Sequence, residues 1–107
     1  MAKYLLKVSY SAEGIKGVMK EGGTSRAATI EKIVESVGGS LESFYFAFGA
    51  DDVYVIADVP DHATAMAVAA AVGSSGAISS YETVVLVEPS EVDAATKITV
   101  GYRPPGS

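Results

Sequence analysis

Residues 40–59, SLESFYFAFGADDVYVIADV, decide the fold. The aromatic segment 40–48 and the β-branched segment 53–59 have the composition of two neighbouring strands. Between them, Gly49-Ala50-Asp51-Asp52 supplies residue types that favour a turn. We therefore predict a β-hairpin, whose second strand ends at Pro60-Asp61.

Both predicted hairpin strands carry apolar side chains on each side. In the first strand, a two-residue period places Leu41 with Tyr45 on one side and Phe44 with Phe46 on the other. An antiparallel sheet with one solvated face should instead alternate apolar and polar residues. Because two helices cover only one face of such a sheet, we expect a second subunit to cover the other face, or the edge strand that carries Phe44 to Phe48. The sequence thus predicts a homodimer or a higher homo-oligomer.

The elements outward from the hairpin complete a β-α-β-β-α-β order, which is the ferredoxin-like pattern. They are a strand at 3–10, a short helix capped by Ser11, a longer helix capped by Thr24 or Ser25, an alanine-rich helix from His62 to about Val72 capped by Asp61, a strand at 77–88, a short terminal helix at about 90–97 and a tail at 99–107. We predict one α+β domain over residues 1–107, with a four-stranded antiparallel sheet and both main helices on one face. The alanine-rich helix is apolar all round, so we expect it to be covered all round.

Composition excludes several classes of function. The chain has no cysteine and one histidine, so it lacks thiol chemistry and a disulfide framework, and only carboxylates could hold a metal. A formal charge of −5 argues against binding nucleic-acid backbones. No apolar run approaches the roughly 20 residues that span a bilayer, and the amino terminus does not resemble a signal peptide. We expect a cytoplasmic protein with no metal, no permanent cofactor, no nucleic-acid partner and no membrane contact.

A family resemblance supports this fold. The chain resembles the GYD-domain family in Gly38 to Ile56, Pro60-Asp61, Tyr4-Leu5-Leu6-Lys7, Gly22-Gly23 before Arg26, and Ser75-Gly76-Ala77. The resemblance implies a small ferredoxin-like protein of the dimeric α/β-barrel type, and it implies no established reaction or cofactor. The family motif is Gly, any residue, Tyr and Asp. Gly49 and Asp52 match it, whereas Asp51 replaces the tyrosine, so this position cannot perform any chemistry that belongs to that tyrosine.

His62 is the default general base, because its unperturbed pKa lies nearest neutrality. Asp61 could orient it, but the first turn of a helix is usually solvated and disfavours a protonated histidine. The segment 22–26, GGTSR, opens a helix and could hold an anion through free N–H groups and Arg26. Turn-forming glycines and capping hydroxyls also explain that segment.

Lys7 and Asp58 have two interpretations. They could form a structural ion pair, because buried charges need partners. Alternatively, with Tyr54, they could line a polar pocket in which a buried Lys7 of lowered pKa does acid–base work. Tyr10 and Tyr45 could line a cavity between sheet and helices, or pack in the core or an interface.

These residues favour a homo-oligomeric protein with a cavity for a small organic or anionic ligand. The predicted ligand-binding residues are Lys7, Tyr10, Arg26, Tyr45, Tyr54 and Asp58. The candidate catalytic residues are His62 and Lys7. A cofactor-independent enzyme of monooxygenase, isomerase or decyclase type is the alternative, by fold analogy. A third possible function is a structural or interaction module. In that case the tail around Tyr102 and Arg103 could dock on a neighbouring subunit.

Overall fold

The computed structural model describes all 107 residues and has four strands and four helices. They are β1 (Ala2–Tyr10), α1 (Ala12–Glu21), α2 (Gly23–Ser36), β2 (Ser40–Phe46), β3 (Val53–Val59), α3 (His62–Gly73), β4 (Ile78–Leu86) and α4 (Pro89–Ala95). The strands form one antiparallel sheet in the order β2-β3-β1-β4. The predicted ferredoxin-like α+β fold is confirmed, with α1 and α2 sharing the first crossover.

The core lies between the sheet and the helices. In β3, alternate residues from Val53 to Val59 are buried, and β1 adds Tyr4 and Val8 on the same face. Val34 of α2 packs against them and is also buried. Burial of one such valine stabilises a fold by roughly 1.5–3 kcal/mol. The sheet therefore has one face covered by helices and one face without them, which we call the open face.

A β-bulge in β2 corrects the predicted faces of this strand. Leu41 pairs with Ala57 and Phe44 pairs with Val55, so both lie on the helix-covered face. The register shifts between Leu41 and Ser43, which inserts Glu42 into the strand. The expectation that Leu41 shares a face with Tyr45 is wrong, because one bulged residue reverses the alternation downstream. As a result, β2 places fewer apolar side chains on the open face than the sequence indicates.

The helix caps predicted at Ser11 and Asp61 are confirmed. Ser11 accepts a hydrogen bond from the Gly14 N–H, and Asp61 accepts one from the Thr64 N–H. The cap predicted at Thr24 or Ser25 is wrong. There α2 begins at Gly23, and Gly22, with a φ of 93°, is its cap without a side-chain bond. Glycine permits this left-handed conformation, so the turn itself starts the helix.

The outer side of α3 and the carboxyl-terminal segment are exposed. No residue of α3 is buried, and Met66 is largely exposed, so within one chain the expected all-round coverage of this helix is wrong. Residues 87–107, including α4, are all exposed. The radius of gyration is 17.2 Å, against about 13 Å for a compact chain of this length. The terminal segment therefore projects from the body. None of the helices has the length and hydropathy needed to cross a bilayer.

Candidate functional site

A cavity of about 40 Å³ lies between the sheet and helices α2 and α3. Thirteen of its fourteen lining residues are hydrophobic, including the aromatic side chains of Tyr10, Phe44 and Tyr81. Burial raises the pKa of the Tyr81 phenol above its usual value of 10.0, so this hydroxyl stays protonated at neutral pH. A volume of this size admits about three waters or a short apolar group. We call this space the cavity.

Arg26 is the one charged residue that lines the cavity. It lies in the first turn of α2, and its Nε atom is buried without a hydrogen-bond partner. None of the ion pairs in the chain includes Arg26. A guanidinium presents five N–H donors in a planar fork that matches a carboxylate. The cavity is thus apolar except for a desolvated cationic donor.

The structure separates Tyr10 from Tyr45. Tyr10 lines the cavity as predicted. Tyr45 pairs with Tyr54 across β2 and β3 and is 69% exposed. The prediction that Tyr45 lines the cavity is therefore wrong, because this strand position points to the opposite face of the sheet.

The open face carries an apolar band between two groups of charges. Leu5 lies between Ile56 of β3 and Val84 of β4, and all three are half-buried. At one end, Lys3 contacts Asp58 at 3.0 Å and Glu42 at 3.1 Å. These charges are paired within the chain, so the apolar band is the part of the face without a partner.

At the other end of the open face, Lys7 contacts Glu82 at 3.2 Å and Asp51 at 3.8 Å. The predicted Lys7–Asp58 pair is wrong, because the register places Lys7 opposite Tyr54 and gives Asp58 to Lys3. The hydrogen bond to Glu82 and the charges around it raise the pKa of Lys7 above 10.5. Lys7 is therefore a fixed cation at neutral pH, and the general-base role that required a lowered pKa is not supported.

Asp52 and Asp51, at the motif positions in the hairpin turn, make different contacts. The Asp52 carboxylate accepts a hydrogen bond from the Tyr10 N–H at 2.9 Å, and its own N–H donates to the Val8 carbonyl at 2.9 Å. Asp52 thus joins the hairpin turn to the end of β1. Asp51, where the family has tyrosine, accepts a hydrogen bond from the Ser9 hydroxyl and lies near Lys7. Asp51 therefore lies among the charged side chains at one end of the open face.

The helix start at 22–26 already has an acidic neighbour. The Glu21 carboxylate accepts a hydrogen bond from the Ser25 hydroxyl at 3.2 Å and one from Thr29 at 3.5 Å. A carboxylate at this position opposes a second anion. Arg26 lines the cavity rather than the exposed helix start.

His62 has one specific contact, which its position in the sequence does not indicate. Its Nδ1 shares a hydrogen bond with the hydroxyl of Tyr4, whose side chain is only 2% exposed. The two rings meet edge to face with centroids 5.8 Å apart. A buried tyrosine hydroxyl needs a partner, and no sequence pattern connects positions 58 residues apart. His62 therefore satisfies the hydrogen-bonding capacity of Tyr4.

We expect His62→Ala to lower the free energy of unfolding by about 1 kcal/mol, since the Tyr4 hydroxyl loses its partner. In a Tyr4→Phe background, His62→Ala should cost much less. Urea unfolding of the two single variants and the double variant measures the coupling energy. Additive effects of the two substitutions would contradict a stabilising contact between these side chains.

Comparison with known proteins places the chain in a family. No curated protein matches it. Among solved structures, the crystal structure of MtbAldR matches with a TM-score of 0.55 and 12% sequence identity. The match covers 96% of this chain and 57% of that one, and at this identity it shows the fold alone. The family model of the GYD domain matches residues 4–96. The chain therefore belongs to the GYD-domain family.

Proposed function

We propose that this protein is a homo-oligomer that binds a small organic carboxylate in the cavity. The single observation that carries this proposal is the buried Nε of Arg26, which has no hydrogen-bond partner. An unpaired buried donor on a charged group is costly. A ligand that supplies a carboxylate oxygen removes that cost, which gives the site a preference for anions.

The rest of the cavity favours the apolar part of such a ligand. Its hydrophobic lining offers no acidic side chain to repel a carboxylate and few polar groups to bind a sugar or a nucleotide. Aromatic walls formed by Phe44 and Tyr81 suit a flat or short hydrocarbon group. A small volume limits the hydrocarbon to a few carbon atoms unless side chains move. The ligand class that fits is a short aliphatic monocarboxylate, or an aromatic one if side chains move.

The open face supports the homo-oligomeric part of the proposal. The apolar band of Leu5, Ile56 and Val84 lies in the centre of the face, with paired charges at both ends. An apolar centre with a polar rim is the usual anatomy of a protein interface. Two copies related by a two-fold axis would bury the band of each against the other.

Thermal shift and calorimetry with sodium butyrate, hexanoate and benzoate test the ligand. We expect at least one carboxylate to raise the unfolding midpoint in proportion to its concentration. The matching alcohols, 1-butanol, 1-hexanol and benzyl alcohol, should bind at least tenfold more weakly. Arg26→Met should also weaken carboxylate binding at least tenfold, because a charge-assisted hydrogen bond contributes about 1.5–3 kcal/mol.

Lys32→Met is the matched control, since Lys32 is an exposed cation on the same helix and forms no ion pair. It should bind the carboxylate as tightly as the unaltered protein. Equal affinity of the Arg26→Met and Lys32→Met variants would overturn the proposal, as would equal binding of acids and alcohols. Proton NMR of the bound carboxylate over time distinguishes a binding protein, which returns it unchanged, from an enzyme.

A further inference from the structure

The carboxyl-terminal segment after α4 has the pattern of an unpaired strand. Ile98, Val100 and Tyr102 alternate with polar residues or glycine and are 68%, 74% and 72% exposed. We call residues 97–103 the arm. Its backbone N–H groups make only local hydrogen bonds, from Lys97 to Ala94, from Ile98 to Ala95 and from Tyr102 to Val100. The arm also lies outside the part of the chain that matches the family, residues 4–96.

A surface groove of about 520 Å³ lies at the far end of the sheet. Its walls include Ile15 and Met19 of α1, and Phe46 and Phe48 at the end of β2. Met19 is 80% exposed, and Phe48 is fully exposed. Large apolar side chains gathered in one exposed cleft mark a site for a partner. We call this cleft the groove.

The arm and the groove complement each other in charge and in backbone hydrogen bonding. Residues 1–96 hold all thirteen acidic side chains and six of the eight basic ones, whereas residues 97–107 hold the other two, Lys97 and Arg103, and no acidic one. The groove itself contains Asp52. It also borders β2, an edge strand whose outer side is unpaired. An extended segment can add to such an edge while its alternate side chains enter the cleft.

The arm and the groove of one chain lie at opposite ends of the sheet. Leu86, the last residue of β4, pairs with Lys3 near the start of β1, and the arm follows from there. Tyr10, at the end of β1, lines the groove. Nine strand residues separate these ends by about 30 Å, and residues 87–107 are all exposed. The arm is therefore better placed to bind the groove of a second copy than the groove of its own chain.

We propose that the arm of each copy binds in the groove of a second copy, with Ile98, Val100 and Tyr102 packed against the apolar walls. This interface is distinct from the open face and does not depend on a ligand in the cavity. A reciprocal exchange of two arms is a closed two-fold arrangement, so it saturates at a dimer. The cleft between α3 and β4 competes less well for the arm, because its volume is about 300 Å³ against about 520 Å³ for the groove, and the outer side of α3 offers mainly small side chains such as Ala63, Ala67 and Ala70.

The absence of cysteine allows a direct test in the full chain. Met19→Cys and Val100→Cys proteins, one of them carrying a mass tag, are mixed, oxidised and separated on a non-reducing gel. We expect a mixed disulfide dimer at a yield at least tenfold above that of Val100→Cys mixed with Ala67→Cys, the control on α3. A yield no higher than this control would overturn the proposal. A disulfide that forms only within one chain of the Met19→Cys/Val100→Cys double variant would also overturn it.

A second measurement uses no cysteine. The full chain with Ile98→Ser, Val100→Ser and Tyr102→Ser should keep its body intact, because these three side chains are 68%, 74% and 72% exposed. Because the open face is also proposed to self-associate, the triple substitution is made in an Ile56→Glu background, where sedimentation over a concentration series should give a dissociation constant at least tenfold higher than that of Ile56→Glu alone. An unchanged constant would contradict arm exchange.

Discussion

Gly14→Ala is expected to destabilise the protein by about 3 kcal/mol or more and to lower its unfolding midpoint by roughly 10–20 °C. A methyl group at this position would lie 2.0 Å from the Ala77 carbonyl oxygen and 3.1 Å from the Tyr10 ring. The same carbonyl accepts a hydrogen bond from the Ser11 N–H at 2.8 Å. The clash is with backbone, so α1 must move away from β4 and lose the contact that starts the helix.

Gly17→Ala is the matched control, because Gly17 lies one turn later in α1 and a methyl group there would have no neighbouring atom within 4 Å. We expect this variant to gain about 0.5–1 kcal/mol, since alanine restricts the unfolded chain and favours the helix. Thermal and urea unfolding of both variants gives the comparison. Similar stabilities for the two variants would show that α1 is not held tightly against β4.

Ile56→Glu is expected to raise the dissociation constant of the homo-oligomer at least about 30-fold. The substitution places an unpaired carboxylate in the apolar band of the open face, and an unpaired charge buried in an interface costs about 2–5 kcal/mol. Leu5 and Ser43 lie directly opposite it. The two diagonal cations on the same face, Lys3 and Lys7, are already paired with carboxylates. Analytical ultracentrifugation from nanomolar to millimolar protein measures the shift toward the monomer, with Ile98→Ser, Val100→Ser and Tyr102→Ser present in both proteins so that arm exchange does not contribute.

Ala28→Glu introduces the same charge on the exposed side of α2 and serves as the control. It should leave self-association unchanged, and both variants should keep the far-ultraviolet circular dichroism of the unaltered protein. A monomeric mass for the unaltered protein at micromolar concentration would contradict the sheet-face interface. So would equal dissociation constants for the two glutamate variants.

Much of the fold was predictable because its signals are local. The period of two in β3 and in β1, the turn at 49–52 and the caps at Ser11 and Asp61 each lie within a few residues. The start of α2 and the faces of β2 were predicted wrongly, because both depend on backbone conformation. Gly22 starts α2 through a positive φ, and the β2 bulge reverses a face without any change in residue type.

The candidate site was less predictable, because it depends on register. Tyr10 is correctly predicted to line the cavity, since it ends a strand that faces the helices, whereas Arg26 is predicted only as part of an anion site at the helix start. Asp58 was given to the wrong lysine, because Lys3 and Lys7 share a face and only the strand pairing distinguishes them. The Tyr4–His62 contact joins distant positions and has no local signal.

The bulge at Glu42 also bears on how this strand tolerates insertions and deletions. Leu41 and Phe44 are three positions apart and lie on one face, an arrangement that an uninterrupted strand cannot produce. Removing Glu42 would bring them two positions apart, and the ordinary alternation would then keep both against the helices. β2 can thus lose one residue here while Leu41 and Phe44 stay in the core. The residue lost would be Glu42, whose carboxylate contacts Lys3.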